Sequence, residues 1–138
     1  MGKYRTLSEN NQYYLPKHGY LTCIHYALQY RDWKAMLDAD RDTRGAIRYD
    51  KDKIQVTNDY DSTSETAMRM VEIQRKCDMI DECISLACDG SGLDNYLRLG
   101  VCYGFTFYQL ANEQKIPCGK DLYYKIRQRF YYELSKKI

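Results

Sequence analysis

A run of apolar residues, spaced alternately three and four positions apart, constrains the fold of this chain more than any other feature. The run, called here the apolar seam, consists of Met70, Ile73, Cys77, Ile80, Ile84 and Ala87. This spacing places every member on one stripe of an α-helix and favours side-by-side packing against another helix. Ser62 or Ser64 is suited to cap this helix, and Glu65 completes a capping box with Ser62. We therefore expect a helix over 63–88 that requires a helical partner.

The first part of the chain supplies one such partner. After Pro16, large apolar residues recur at helical spacing, namely Tyr26, Tyr30, Trp33 and Leu37. This pattern predicts a helix over 17–39 that folds back on the apolar seam as an antiparallel hairpin. Self-association through the apolar seam, which would make a homodimer, is the alternative.

A polar and charged segment, 41–62, separates these two predicted helices. A β-hairpin within it would pair Ile47 and Tyr49 with Ile54 and Val56. The segment has too few apolar residues to hold a sheet, so an irregular connection is favoured. The two helices and this connection make up the first predicted unit, a helical body over 1–89.

Glycine-containing breaks divide the remaining residues into three shorter helices. A Gly-Ser-Gly break at 90–92 precedes a helix over 93–101. Thr106 is suited to cap the next helix, and a long basic helix over 120–136 follows a proline-containing turn. The second predicted unit is therefore a lobe over 90–138. The sequence predicts a mainly α fold, a helical hairpin plus a C-terminal helix-turn-helix lobe.

The residues between the last two helices follow the order of a DNA-binding helix-turn-helix. Leu110 is the apolar anchor of the first helix, and Ala111 is the small residue expected where the helices cross. Lys115 occupies a turn position where glycine is common, because a left-handed backbone strains residues that have a Cβ. Ile116 is the buried aliphatic residue that precedes the second helix.

The last helix separates apolar from polar side chains when it is drawn at 100° per residue. Its apolar face is expected to contain Leu122, Tyr123, Ile126, Phe130 and Leu134. The other side is expected to lie in a major groove, where Lys120 and Gln128 contact base edges while Lys125 and Arg127 contact phosphates. The predicted DNA-binding residues are Lys120, Tyr124, Lys125, Arg127, Gln128, Arg129 and Tyr131.

The charge of the chain is segregated in a way that supports this interpretation. The formal net charge is only +2, but residues 115–138 hold seven Lys and Arg against two acids. The rest of the chain holds fourteen Lys and Arg against seventeen acids. A basic segment of this kind is a common electrostatic footprint of nucleic-acid binding.

Other site chemistries are disfavoured. The six cysteines contain no C-x-x-C pair, so we expect free, buried thiols rather than disulfides. His18, Cys23 and His25 do not share one helix face, which argues against a metal site. Phosphate-loop, zinc-protease and nucleophile-elbow motifs are not found in the sequence. We expect no catalytic residue, no metal and no cofactor, and we find neither a signal peptide nor a membrane-spanning apolar run.

Two segments of the chain resemble a known family. YYLPKHGYLTCIHYALQYRDWK near the start and IPCGKDLYYKIRQRFYYELSKKI at the end are similar to RinA/ArpU-type late transcriptional regulators of Firmicutes prophages. The helix-turn-helix of that family is similar to region 4 of bacterial sigma factors. The resemblance implies promoter DNA as the partner, host RNA polymerase or another host protein as a further partner, and the bacterial cytoplasm as the location. It carries DNA contact onto Lys120, Tyr124, Arg127, Gln128 and Arg129.

Two alternative functions remain open from the sequence. A phage-encoded protein of this size is also suited to inhibit a host defence nuclease by protein–protein binding, because fold does not determine function. A small terminase-like packaging subunit would bind duplex DNA as well, but as a ring. Salt-dependent DNA binding and mass in solution distinguish the three functions.

Overall fold

The computed structural model describes residues 9–49 and 60–138, and the side chains of 9–42 and 64–138. Six helices account for most of these residues, and no strand occurs among them. They are α1 (Lys17–Leu28), α2 (Tyr30–Tyr49), α3 (Tyr60–Cys88), α4 (Asp94–Tyr103), α5 (Phe107–Asn112) and α6 (Lys120–Ser135). The predicted mainly α fold is therefore confirmed.

Helices α2 and α3 form the predicted antiparallel hairpin. The Tyr30 hydroxyl donates to a carboxylate oxygen of Asp81 at 3.1 Å, and the Lys76 ammonium lies 5.3 Å from the centre of the Trp33 ring. The two helices therefore run in opposite directions, because the later residue of α2 contacts the earlier residue of α3. The apolar seam is buried within the chain, since Ile80 and other members from Ile73 to Ala87 belong to the core.

The predicted bounds of this hairpin were wrong in three places. Gln29 divides the predicted helix over 17–39, because its N–H bonds to Tyr26 three residues back, a tighter turn than the α-helix allows. The segment predicted as irregular is helical up to Tyr49, and α3 already begins at Tyr60. Ser62 and Ser64 consequently lie inside α3 instead of capping it.

Only part of the β-hairpin considered for the same segment lies among the described residues. Its first strand would contain Ile47 and Tyr49, and both residues are helical in α2. Its second strand would contain Ile54 and Val56, which lie outside the described residues. The part that can be compared therefore contradicts a hairpin.

The breaks that divide the C-terminal helices are local features. Gly104 has a left-handed φ of 77°, which only glycine adopts without strain, and it ends α4. Thr106 then begins α5 with a complete capping box. The Gln109 N–H donates to the Thr106 hydroxyl at 3.2 Å, and the Thr106 N–H donates to the Gln109 side-chain oxygen at 2.9 Å. The prediction that Thr106 caps this helix is confirmed.

Helix α6 joins the two predicted units in one hydrophobic core. It packs on α3 and α1, and two ion pairs give its direction: Arg129 with Asp89 at 3.9 Å, and Lys137 with Glu82 at 3.6 Å. Because the two helices are antiparallel, the N-terminal turns of α6 extend beyond the end of α3. The division at residues 89 and 90 stays a prediction, but both units contribute to the same core.

The six cysteines are all free in the structure, as the sequence predicts. Five are buried, and Cys118 is half-buried. Burial raises the pKa of the Cys23 thiol to about 11. None of the described helices is both long and apolar enough to cross a membrane.

Candidate nucleic-acid interface

Helices α5 and α6 are joined by the turn that the sequence predicts. Lys115 has a left-handed φ of 57°, and the N–H of Ile116 donates to the carbonyl of Leu110 at 3.0 Å. Leu110 and Ile116 are both buried. A non-glycine residue in this backbone region costs about 1–2 kcal/mol, which the buried contacts on either side of the turn offset.

The small residue that lets helices approach one another is not the predicted one. Ala111 is exposed, so it does not lie at a helix crossing. Gly100 of α4 takes this role, because the hydroxyl of Tyr123 occupies the place where a Cβ would stand. A glycine inside a predicted helix is unfavourable for helix formation, and this was the signal available in the sequence.

Helix α6 is rotated relative to the predicted orientation. Leu122, predicted to lie on the apolar face, is 46% exposed. Tyr131, predicted to contact DNA, is only 5% exposed, and its ring centre lies 5.3 Å from that of Tyr20. Burial raises the pKa of the Tyr131 hydroxyl, as expected for a group without solvent. Tyr131 is a core residue, and its prediction as a DNA contact was wrong.

The rotation has a simple cause. The prediction assumed that α6 packs on one side, but α6 contacts α3, α1 and α4. Its buried positions therefore cover a wide arc of the helix. They are Tyr123, Ile126, Phe130, Tyr131 and Leu134.

Two further predicted residues lie on α6 beside the body of the fold. The Gln128 amide donates to the Tyr20 hydroxyl at 3.4 Å, and Arg129 pairs with Asp89. Both side chains are half-buried. These contacts orient α6 on α1 and α3, so Gln128 and Arg129 are less free to contact a ligand than residues nearer the start of the helix.

The other predicted residues lie together at the N-terminal end of α6. Lys120 and Lys125 are exposed, while Tyr124 and Arg127 are half-buried. The Tyr124 ring is the centre of this group. The Arg127 guanidinium carbon lies 4.5 Å and the Lys120 ammonium 5.9 Å from its centroid, both within the range of cation–π contact. Phe107 of α5 supports the same ring, with centroids 6.4 Å apart.

The cations of this region have no acidic partner among the described residues. Lys115, Lys120, Lys125 and Arg127 take part in no ion pair of the structure's described part, unlike Arg129. The Nε of Arg127 is buried, and the described residues offer it no hydrogen-bond partner. Uncompensated cations that lie close together create a positive potential, which attracts anions.

Two exposed residues of α5 and the following turn were not assigned to DNA in the sequence analysis. Tyr108 of α5 is 77% exposed, which is high for an aromatic side chain, and Lys115 projects from the turn. In a helix-turn-helix, the first helix crosses the DNA backbone while the start of the second enters the major groove. Tyr108 lies on the first helix of the predicted helix-turn-helix, and Lys115 lies in its turn.

Two observations concern the other site chemistries considered for the sequence. No group of three His, Cys, Asp or Glu that could hold a metal occurs in the part of the chain that is described. Burial raises the pKa of the Cys118 thiol at the turn before α6, which makes it less nucleophilic than an exposed thiol.

Comparison of the chain with protein-family models, with curated proteins and with solved structures finds no match. The resemblance to the RinA/ArpU-type regulators therefore rests on the two sequence segments alone and stays a prediction.

Proposed function

We propose that this chain binds duplex DNA through α5 and α6 and acts as a transcriptional regulator of phage type. The observation that carries the proposal is the cluster of cations without acidic partners at the start of α6, presented by a helix-turn-helix turn. Neither feature alone is specific. Their combination is what a recognition helix requires, since affinity comes from phosphate contacts and orientation from the turn.

The exposed N-terminal turns of α6 are the part suited to enter a major groove. Lys120 and Lys125 are free to reach base edges or phosphates from this end. Their side chains need no rearrangement of the core to do so. This narrows the predicted set, because Tyr131 is buried and Gln128 and Arg129 already contact the body of the fold.

Arg127 and Tyr124 are suited to a different role within the same surface. The Arg127 guanidinium carbon lies 4.5 Å from the centroid of the Tyr124 ring, so the ring limits the movement of a group that can present paired donors to a phosphate. Holding the guanidinium in this way reduces the conformational entropy lost on binding. We assign Arg127 to a backbone phosphate and Tyr124 to its support.

Fluorescence anisotropy of labelled duplexes, titrated from low to physiological salt, tests the proposal. The affinity of the wild-type chain is expected to fall steeply with salt, with a slope of about −0.9 in log K against log salt for each phosphate neutralised. Lys125→Ala should flatten that slope by about 0.9 on every sequence. Arg127→Lys keeps the charge but loses the paired donors of the guanidinium, so it should weaken binding to all duplexes.

Arg69→Ala is the matched control because it removes one exposed cation far from the proposed interface. The end of α3 that lies nearest the proposed interface is marked by Asp89, which pairs with Arg129 of α6. Arg69 lies twenty positions before Asp89 along α3 and the turn after it. Twenty helical residues span about 30 Å, roughly three Debye lengths at 0.1 M salt. The duplex affinity of Arg69→Ala and the slope of its salt dependence should equal those of the wild type. Absence of any duplex binding by the folded chain at low salt would contradict the proposal.

The particular regulatory role is proposed from the resemblance to late-gene regulators. A search for preferred sites in a random duplex library tests it, because a regulator selects one sequence and a general DNA-binding protein does not. Lys120→Ala is expected to reduce that preference by about 1–3 kcal/mol. A wild-type chain that binds all sequences with equal affinity would leave DNA binding intact but would overturn sequence recognition.

A further inference from the structure

Helix α3 has a second apolar stripe on the side opposite its buried seam. Met68 is 69% exposed, Val71 is 70% exposed and Leu86 is 41% exposed. Met79 lies between them and is half-buried. Together with Arg75 and Glu82, these residues are spaced three or four positions apart, so they form one face of the helix. This surface is called here the outer face of α3.

The outer face adjoins an open groove of about 400 Å³ between α3 and the end of α6. The residues that line it carry both signs of charge: Arg75, Asp78, Met79, Glu82 and Lys137. Large apolar side chains exposed along a helix, with charged residues among them, are typical of a helix–helix interface.

We propose that a second copy of this chain docks on the outer face, with the two α3 helices packed side by side and antiparallel. The order of residues along the face is what identifies the occupant. Val71 and Leu86 are equally far from a midpoint between Asp78 and Met79, and Arg75 and Glu82 are equally far from the same midpoint. A twofold axis through that midpoint therefore brings Val71 against Leu86 and Arg75 against Glu82 of the second copy.

The same twofold axis would place ion pairs of one copy next to ion pairs of the second copy. Arg75 pairs with Glu72 at 2.6 Å, and Lys137 pairs with Glu82 at 3.6 Å. Docking places the Arg75 guanidinium beside Glu82 of the second copy, so each side of the axis carries a row of alternating charge from Glu72 to Lys137. A surface complementary to itself about a twofold axis is the requirement for a closed dimer.

The size of the face indicates the strength of the contact. From Met68 to Leu86 the helix is about 27 Å long, five turns. One helix pair of this length lies at the small end of specific interfaces. The dimer is therefore expected to dissociate on dilution. This inference does not depend on DNA binding, and its test contains no DNA.

Sedimentation velocity of the full chain over a dilution series measures the association. Val71→Asp places a charge against the apolar Leu86 of the second copy and should raise the dissociation constant at least about tenfold. Met36→Asp is the control, because Met36 is 40% exposed on α2, which packs against the buried side of α3. Circular dichroism should show that both variants keep the helical content of the wild type.

A charge exchange tests the register as well as the face. In a dimer of Arg75→Glu, two carboxylates would meet on each side of the axis, and in a dimer of Glu82→Arg two guanidinium groups would meet there. Each variant by itself should therefore be monomeric. In a mixture, the glutamate introduced at position 75 of one copy faces the arginine introduced at position 82 of the other, and the native Glu82 and Arg75 face each other on the second side of the axis. The mixture should therefore restore a dimer. Arg69→Glu, with the same change in charge at an exposed site of α3 off the outer face, should sediment as the wild type does.

Three results would overturn the inference. The first is a wild-type chain that is monomeric at all concentrations. The second is Val71→Asp associating as strongly as Met36→Asp, which would place any dimer interface elsewhere. The third is a mixture of Arg75→Glu and Glu82→Arg that stays monomeric while the wild type dimerises, which would exclude the antiparallel register.

Discussion

At the scale of single residues, Gly100 shows how one missing side chain positions the proposed interface. The Tyr123 hydroxyl lies where a Cβ at position 100 would stand, and the Leu110 side chain is 3.7 Å from the same point. Glycine therefore lets α6 approach α4 closely enough for Tyr123 to be buried. The backbone at Gly100 is ordinary helix, so the reason for glycine is space and not conformation.

Gly100→Ala is expected to destabilise the fold by about 1–3 kcal/mol, because the Tyr123 ring must move to admit the methyl group. Gly19→Ala is the matched control, since Gly19 is also helical and its Cβ would meet only Pro16 at 4.0 Å. That variant should be neutral or stabilised by up to about 1 kcal/mol. Urea denaturation measures both. Equal stabilities of the two variants would mean that α4 and α6 are further apart than described.

Asp81 is a second residue on which the arrangement of helices depends. It accepts from the Tyr30 hydroxyl of α2 and from Arg98 of α4, whose Nε lies 3.0 Å from the carboxylate. Burial, and then the neighbouring Asp81 carboxylate, raises the pKa of the Tyr30 hydroxyl. One carboxylate thus links three helices, and it holds α4 in the position from which Gly100 faces α6.

At the scale of elements, α6 has two halves with different surroundings. Its C-terminal half packs in the core, where Phe130 and Leu134 are fully buried. Its first turns lie beyond the end of α3 and contact α4 and α5 instead. The same helix therefore combines a buried C-terminal half with an exposed cationic end, and the proposed DNA contact depends on this combination.

Two leucines of α6 allow a matched test of this orientation. Leu134→Ala removes a fully buried side chain and is expected to cost about 2–5 kcal/mol. Leu122→Ala removes one that is 46% exposed and should cost less than about 1 kcal/mol. Thermal and urea denaturation measure both. A larger loss for Leu122→Ala would restore the orientation predicted from the sequence and would contradict the described one.

At the scale of the whole molecule, the core is rich in thiols whose protonation follows burial. Burial raises the pKa of Cys23, of Cys83 and of Cys88 from 9.0 to about 11. In the unfolded chain these thiols lose their protons near pH 9, while in the folded chain they keep them up to about pH 11. Between these values the folded state binds more protons, so the free energy of unfolding must fall as pH rises.

We expect stability to be independent of these thiols below pH ~9 and to decline between pH ~9 and pH ~11. Urea denaturation at a series of pH values measures the decline. Cys23→Ala removes one of the groups and should make the decline smaller. Because all six cysteines are free, a reducing agent should leave the melting temperature unchanged at neutral pH. A lower melting temperature on reduction would show that disulfides stabilise the fold.

The sequence by itself determined those features that depend on neighbours within one or two helical turns. The spacing of Ile73, Cys77, Ile80 and Ile84 defines a stripe whatever surrounds it, and the structure buries that stripe as predicted. The capping box at Thr106 and the turn at Lys115 are equally local, since the groups that bond are at most six residues apart. Hydrogen-bond geometry and side-chain periodicity are sufficient to predict them.

Only the tertiary structure decided how far around each helix burial extends. A helical wheel assigns one apolar face, but α6 is enclosed by α1, α3 and α4, and this buries Tyr131 and exposes Leu122. The close approach at Gly100 depends on Tyr123, which is twenty-three positions away along the chain. The rotation of a helix depends on the total apolar area that it buries against all its neighbours. The neighbours are known only from the tertiary structure, so this area could not be added up from the sequence.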